Sequence, residues 1–143
     1  MTSPMLGDVI ALSAIEDVVF SSGAVGQGVA ILPQSDDVVA PCSGKVTLVF
    51  PTKHAIGILS DDGVEVLIHI GMDTVELNGE GFEVFVESGE SIECGQRLAK
   101  INRALITERG KSLVTPVVIT NSADFAEICV TDATTVHPLD ALM

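Results

Sequence analysis

Short runs of Val, Ile and Leu, broken every few residues by Gly, Asp, Asn or Pro, recur along this chain and predict strands joined by tight turns. The sharpest case is Thr52 to Thr74, TKHAIGILSDDGVEVLIHIGMDT. Two apolar runs flank Ser60-Asp61-Asp62-Gly63, where Asp can cap its own backbone and Gly tolerates positive φ, so the stretch reads as a β-hairpin. An Asp61-Asp62 loop would make His54 and His69 direct cross-strand partners, with Cβ atoms about 4.5–5.5 Å apart. An Asp62-Gly63 loop would make them diagonal neighbours on one face. Only an odd-length loop would put them on opposite faces, because side chains alternate with period 2. The expectation is a histidine pair.

The rest of the chain has the same character. SPMLGDVIAL has a near-copy in APCSGKVTLV, with Pro4, Gly7 and Val9 matching Pro41, Gly44 and Val46. Each copy is a Pro-containing turn leading into a strand, which suggests a pseudo-symmetric β assembly. Gly23, Gly26 and Gly28 are in the wrong order for a phosphate loop and lack a following Gly-Lys-Ser/Thr, so they read as turns and close approaches between strands. Phe82, Val84 and Val86 alternate with charged or polar neighbours, except for Phe85. Residues 103–112 predict a short helix ending near Gly110, a C-cap glycine. Leu113 to Thr120 predicts a strand whose Pro116 favours an edge or a bulge. A second short helix is expected from Ala123 to Cys129. The main domain is expected over residues 1–130, and residues 131–143, without periodicity, are expected to form a loosely ordered tail.

Composition narrows the reading. Hydrophobic residues make up 47% of the 143 positions while aromatics make up 3%, so the core must be Val, Ile, Leu and Ala, in an all-β fold. A net charge of −13 repels nucleic acid and anionic lipid and sets nucleic-acid binding aside. No run is long enough to span a membrane, and the start lacks a signal-peptide pattern, so no membrane insertion and a cytoplasmic location are expected. Cys42, Cys94 and Cys129 are dispersed and odd in number, which reads as reduced, packed thiols.

Two imidazoles in contact can do acid–base chemistry, bind a metal, or act as nucleophile and partner. As a metal site the pair is incomplete, since Asp73 is the one candidate carboxylate and a further ligand has no place. These residues alone leave the three options open.

The phrases VVAPCSGKV, TKHAIGI, DDGVEVLIHIGMDTVELNGEGF, VESGESIECGQRL and LVTPVVITNS resemble the glucose-family enzyme IIA of the bacterial phosphoenolpyruvate-dependent sugar phosphotransferase system. SPMLGDVIAL and EDVVF followed by VGQGVAI extend the likeness over about residues 3–130. The resemblance implies a barrel-sandwich hybrid with a duplicated motif and one or two short helices. It implies that His69 accepts a phosphoryl group, that the Gly71 carbonyl fixes its tautomer, and that His54, oriented by Thr52, stabilises the phosphoryl group. Asp73 would lie on the rim. Donor and acceptor would dock on Val18, Val19, Phe20, Val25, Phe50 and Leu67. The implied donor is the histidine-containing phosphocarrier HPr, and the implied acceptor is a cysteine of a IIB domain; no metal or other cofactor is required. Two positions depart from the family pattern: Lys53 stands where Asn is frequent, and Leu67 where Phe is familiar.

Val86, Gly89, Ile92, Gly95 and Leu98 also follow the hammerhead rhythm of lipoyl- and biotinyl-carrier proteins. Neither Lys45 nor Lys53 has the setting that a swinging arm needs. His69-Ile70-Gly71 breaks the H-x-H pair of zinc endopeptidases with related folds. A non-catalytic regulatory binding module that keeps the IIA fold is the remaining alternative.

Overall fold

The computed structural model describes residues 1–125 and 127–143. Among the described residues eleven strands form two sheets. They are β1 (Gly7–Ala11), β2 (Gln27–Pro33), β3 (Asp37–Val39), β4 (Gly44–Val49), β5 (Ala55–Ser60), β6 (Glu65–His69), β7 (Phe82–Val84), β8 (Ser91–Ile92), β9 (Arg97–Ile101), β10 (Thr115–Ile119) and β11 (Thr135–Val136). The larger sheet runs β11-β1-β2-β10-β6-β5-β4-β8 and the smaller β3-β9-β7. Two short helices, α1 (Val18–Ser21) and α2 (Arg103–Glu108), complete the all-β fold.

The internal echo has a physical basis. The larger sheet divides into two halves of like arrangement, each with an edge strand, then β1 or β4, then β2 or β5, then a central strand. Gly7 and Gly44 open the equivalent strands β1 and β4. A Cβ there would sit 2.2 Å from the Leu32 carbonyl oxygen and 2.1 Å from that of Leu59, so both positions require glycine. Gly28 is pressed against β10 in the same way, 2.1 Å from the Val117 oxygen, which agrees with the close-approach reading of this glycine run. The two copies also touch, through Val39 N–H to Pro4 O at 2.8 Å and Thr2 N–H to Pro41 O at 3.0 Å.

Alternation sorts the central strands into two faces. Val29, Ile31, Val66, Ile68 and Val117 point into the main core, which the smaller sheet closes with Val38, Leu98, Ala99 and Ile101. Ala30, Leu67 and Val118 point to the other face, where Phe20 and Ile15 cover them. That second, smaller cluster carries His69. In the hammerhead stretch Val86, Ile92 and Leu98 are buried while Gly89 and Gly95 take positive φ, as the turn reading requires.

Several sequence expectations need correction. The β5–β6 register pairs Leu59 with Glu65 and Ala55 with His69, so the hairpin loop is odd in length and His54 and His69 are neither direct nor diagonal partners. Pro116 lies in a strand paired on both sides; it is tolerated because the ladder to β6 covers only Val117–Ile119. The helix expected over Ala123–Cys129 is absent among the described residues. A 3₁₀ turn at Ser122–Asp124 ends on an extended Phe125, residues 127–129 have no helical assignment, and Ala126 lies outside the described residues. The other expected helix ends at Glu108, and Gly110, at φ 75°, closes it as expected.

Residues 131–143 supply β11, paired to β1, and bury Val136 and Leu142. Cys42 is half-buried against the core, but Cys94 and Cys129 are exposed, not packed. Burial, with Cys94 nearby, pushes the Cys42 thiol up to about 11. Alkylation at pH 8 should therefore modify Cys94 and Cys129 well before Cys42, as a peptide-mapped time course would show. Gly44→Ala should cost about 2–3 kcal/mol of stability by forcing the β4–β5 backbones apart, measured by urea unfolding. A loss below ~0.5 kcal/mol would mean that the close approach relaxes freely.

Candidate functional site

Two chain ends converge where β6 stops. Lys53 takes a left-handed φ of 63°, which turns the chain out of strand geometry just before β5. His54 is therefore not bound by the alternation that governs β5. Its carbonyl still accepts from Ile70 N–H at 2.6 Å, so its backbone stays beside the end of β6 while its ring turns toward His69. The rings meet with centroids 4.9 Å apart and planes nearly perpendicular at 80°. The expected pair exists, by a route other than hairpin register.

Each ring is tied at Nδ1. His69 Nδ1 lies 2.8 Å from the Gly71 carbonyl oxygen, an acceptor only, so Nδ1 carries the proton and donates. Nε2 keeps its lone pair. Thr52 Oγ1 lies 2.7 Å from His54 Nδ1. Gly71 has φ 78°, and a Cβ there would lie 2.5 Å from the Thr74 methyl and 2.7 Å from Ser112 O, so the carbonyl is aimed by a residue that can only be glycine. Asp73, at φ 58°, completes the tight loop.

The surroundings are apolar with an acidic rim. Phe20 packs on His69 at 5.0 Å and Phe50 meets His54 edge-on at 5.3 Å. Burial and the neighbouring His69 lower His54 to about 4, against an opposing pull from the Thr52 backbone. Burial also lowers His69, while the Gly71 hydrogen bond and the Asp17 and Asp73 carboxylates pull it up. Both rings are neutral at pH 7. A groove of about 600 Å³ beside the pair is lined by Glu16, Asp17, Met72, Asp73 and Lys111, the last paired with Glu76.

Of the residues named for docking, Val18 and Val19 stand out in solvent at 74% and 55% exposure. Val25, Phe50 and Leu67 are half-buried, and Phe20 is buried against His69. Sequence reasoning missed Asp17. It caps α1 through Val19 N–H at 2.9 Å and bears on His69, and its one signal was a position just before Val18-Val19-Phe20. Among the described residues no group of three or more His, Cys, Asp or Glu is placed to hold a metal, and no helix is long and apolar enough to cross a membrane.

A β framework presenting two Nδ1-tethered, neutral imidazoles in a half-apolar hollow is the arrangement of a histidine phosphocarrier. Residues 1–125 match the model of the family described as phosphoenolpyruvate-dependent sugar phosphotransferase system, EIIA 1, and the chain belongs to that family of phosphoryl-relay components. It is 44% identical over 130 residues, 91% of this chain and 78% of the relative, to a glucose-specific EIIA component of Staphylococcus aureus. It is 48% identical over 120 residues to the glucoside-specific EIICBA component of Staphylococcus carnosus, covering 84% of this chain but 17% of that longer protein. Among solved structures, the glucose permease IIA from Mycoplasma capricolum superposes with a TM-score of 0.92 at 38% identity, over 99% of this chain and 91% of the other.

The lowered His54 pKa has a consequence for stability. Between pH 6.5 and about 4 the unfolded chain binds a proton at His54 that the folded chain refuses, so stability is full above pH 6.5 and falls as pH drops through that window. Urea unfolding as a function of pH should show a shallower decline in His54→Gln than in the parent. Equal slopes would mean that His54 titrates normally in the fold.

Proposed function

We propose that this chain is a phosphocarrier of the sugar phosphotransferase system. It accepts a phosphoryl group from phospho-HPr on His69 and passes it to the cysteine of a IIB domain during sugar uptake, in the cytoplasm. The observation that carries the reading is the hydrogen bond from His69 Nδ1 to the Gly71 carbonyl, because it leaves Nε2 as the one nucleophilic nitrogen of a ring held neutral by burial.

The chemistry is a displacement at phosphorus. The Nε2 lone pair forms a new P–N bond as the bond to the donor's ring nitrogen breaks, and the donor imidazole leaves with the electron pair. Attack by a ring that keeps its Nδ1 proton places positive charge on His69. The Gly71 carbonyl and the Asp17 and Asp73 carboxylates favour that charge, the same influences that oppose the lowering of its pKa. Onward transfer reverses the polarity: the IIB thiolate attacks phosphorus and His69 leaves as a neutral ring.

His54 supports the transferred group. With the Thr52 hydroxyl donating to Nδ1, His54 presents a neutral Nε2–H that donates to a phosphoryl oxygen. Its low pKa suits this role, since a neutral donor stabilises the group without adding a fixed charge that must be desolvated. Val18 and Val19, exposed beside the buried Phe20, offer apolar surface on which donor and acceptor dock in turn. Positioning supplies most of the rate in such a relay, which asks for no metal or other cofactor in this chain.

Mixing the protein with phosphoenolpyruvate, enzyme I and HPr tests this reading. His69→Ala should take up no phosphoryl group. His54→Gln should fold and accept the group but pass it to a IIB domain on the order of 100-fold more slowly. A His54→Gln protein that relays at the parent rate would contradict the role given to that ring. A parent protein that takes up nothing from phosphorylated HPr would point to a regulatory module that keeps the IIA fold.

A further inference from the structure

We propose that Thr74 is the positioning residue that sets the tautomer of His69. The inference rests on the reading of His69 Nε2 as the nucleophile. The Gly71 carbonyl can hold the Nδ1 proton only while the three peptide planes after His69 keep their orientation; the last of them, which bears the carbonyl, is anchored by Met72 N–H donating to Ser112 O at 3.1 Å. The plane between His69 and Ile70 is held by Ile70 N–H donating to His54 O at 2.6 Å. The plane between Ile70 and Gly71 is held by the Thr74 hydroxyl, which donates to Ile70 O at 2.6 Å across the loop.

Thr74 is suited to this work in three ways. It is fully buried, so water does not compete for its hydroxyl or replace it. Its methyl lies 2.5 Å from where a Gly71 Cβ would fall, so it packs directly against that residue. It also follows Asp73, whose left-handed backbone brings position 74 back over Ile70. Releasing the Ile70–Gly71 peptide frees φ at Gly71 and leaves the Met72–Ser112 hydrogen bond alone to keep the carbonyl on the ring. His69 would then be free to move its proton to Nε2, and that tautomer has no lone pair facing the incoming phosphorus.

The test compares Thr74→Val, which keeps the shape and removes the hydroxyl, with Thr74→Ala and Thr74→Ser. Long-range ¹H–¹⁵N correlation spectra of the folded proteins at pH 8 report which ring nitrogen of His69 carries the proton. The parent and Thr74→Ser should show the Nδ1–H form. Val and Ala should show a substantial Nε2–H population and accept phosphoryl groups from phospho-HPr about tenfold more slowly. A folded Val or Ala variant with the parent's tautomer would overturn the proposal, and so would a Ser variant disturbed as much as Val. Should the parent itself accept nothing from phospho-HPr, the phosphocarrier reading fails while the tautomer comparison still decides the role of Thr74.

Discussion

A single hydrogen bond, from His69 Nδ1 to the carbonyl of Gly71, gives the site its direction. An imidazole has two chemically similar nitrogens, and a relay needs one of them to meet phosphorus every time. Tying Nδ1 to an oxygen that can only accept leaves that choice to the backbone. The backbone in turn depends on a left-handed glycine, wedged between Thr74 and Ser112, at the point where β6 leaves the sheet. The eight-stranded sheet holds this corner still: β6 is paired on both sides, and its odd-numbered residues face the small cluster that carries Phe20.

Electrostatics around the pair divide between burial and rim charge. Burial keeps both rings neutral and so preserves the lone pair. Asp17 and Asp73 act in the opposite sense on His69 and, in the proposed transfer, would favour the positive ring that forms as phosphorus arrives. The two influences are compatible because they apply to different moments of the reaction: the free ring is neutral and the loaded ring is not.

Much of this was legible in the sequence, though not always for the right reason. The Val-rich runs, the echo of Pro4-Gly7 in Pro41-Gly44 and the turn glycines gave a β fold with internal symmetry, because alternation and glycine sterics are local and strong. The histidine pair was expected from hairpin register. The true register places Ala55 opposite His69, and the rings meet because Lys53 adopts a left-handed backbone that no pattern of apolar residues announces. Pro116 misled for a related reason, since whether a proline interrupts a ladder depends on where the neighbouring strand stops. The strand at Thr135–Val136 is two residues long and is held by pairing with β1 at the far end of the chain, Val136 opposite Gly7 and Thr135 opposite Asp8; local periodicity cannot report such a contact. Asp17 went unnoticed because its bearing on His69 is a tertiary fact.

The central claim is that the phosphoryl group resides on Nε2 of His69. It is tested most directly by phosphorylating ¹⁵N-histidine-labelled protein through HPr and reading the phosphorus–nitrogen couplings by NMR at alkaline pH. The account predicts a single phosphohistidine, with phosphorus on Nε2 of His69 and the His54 ring unmodified. Phosphorus on Nδ1 of His69, or on any other residue, would contradict it.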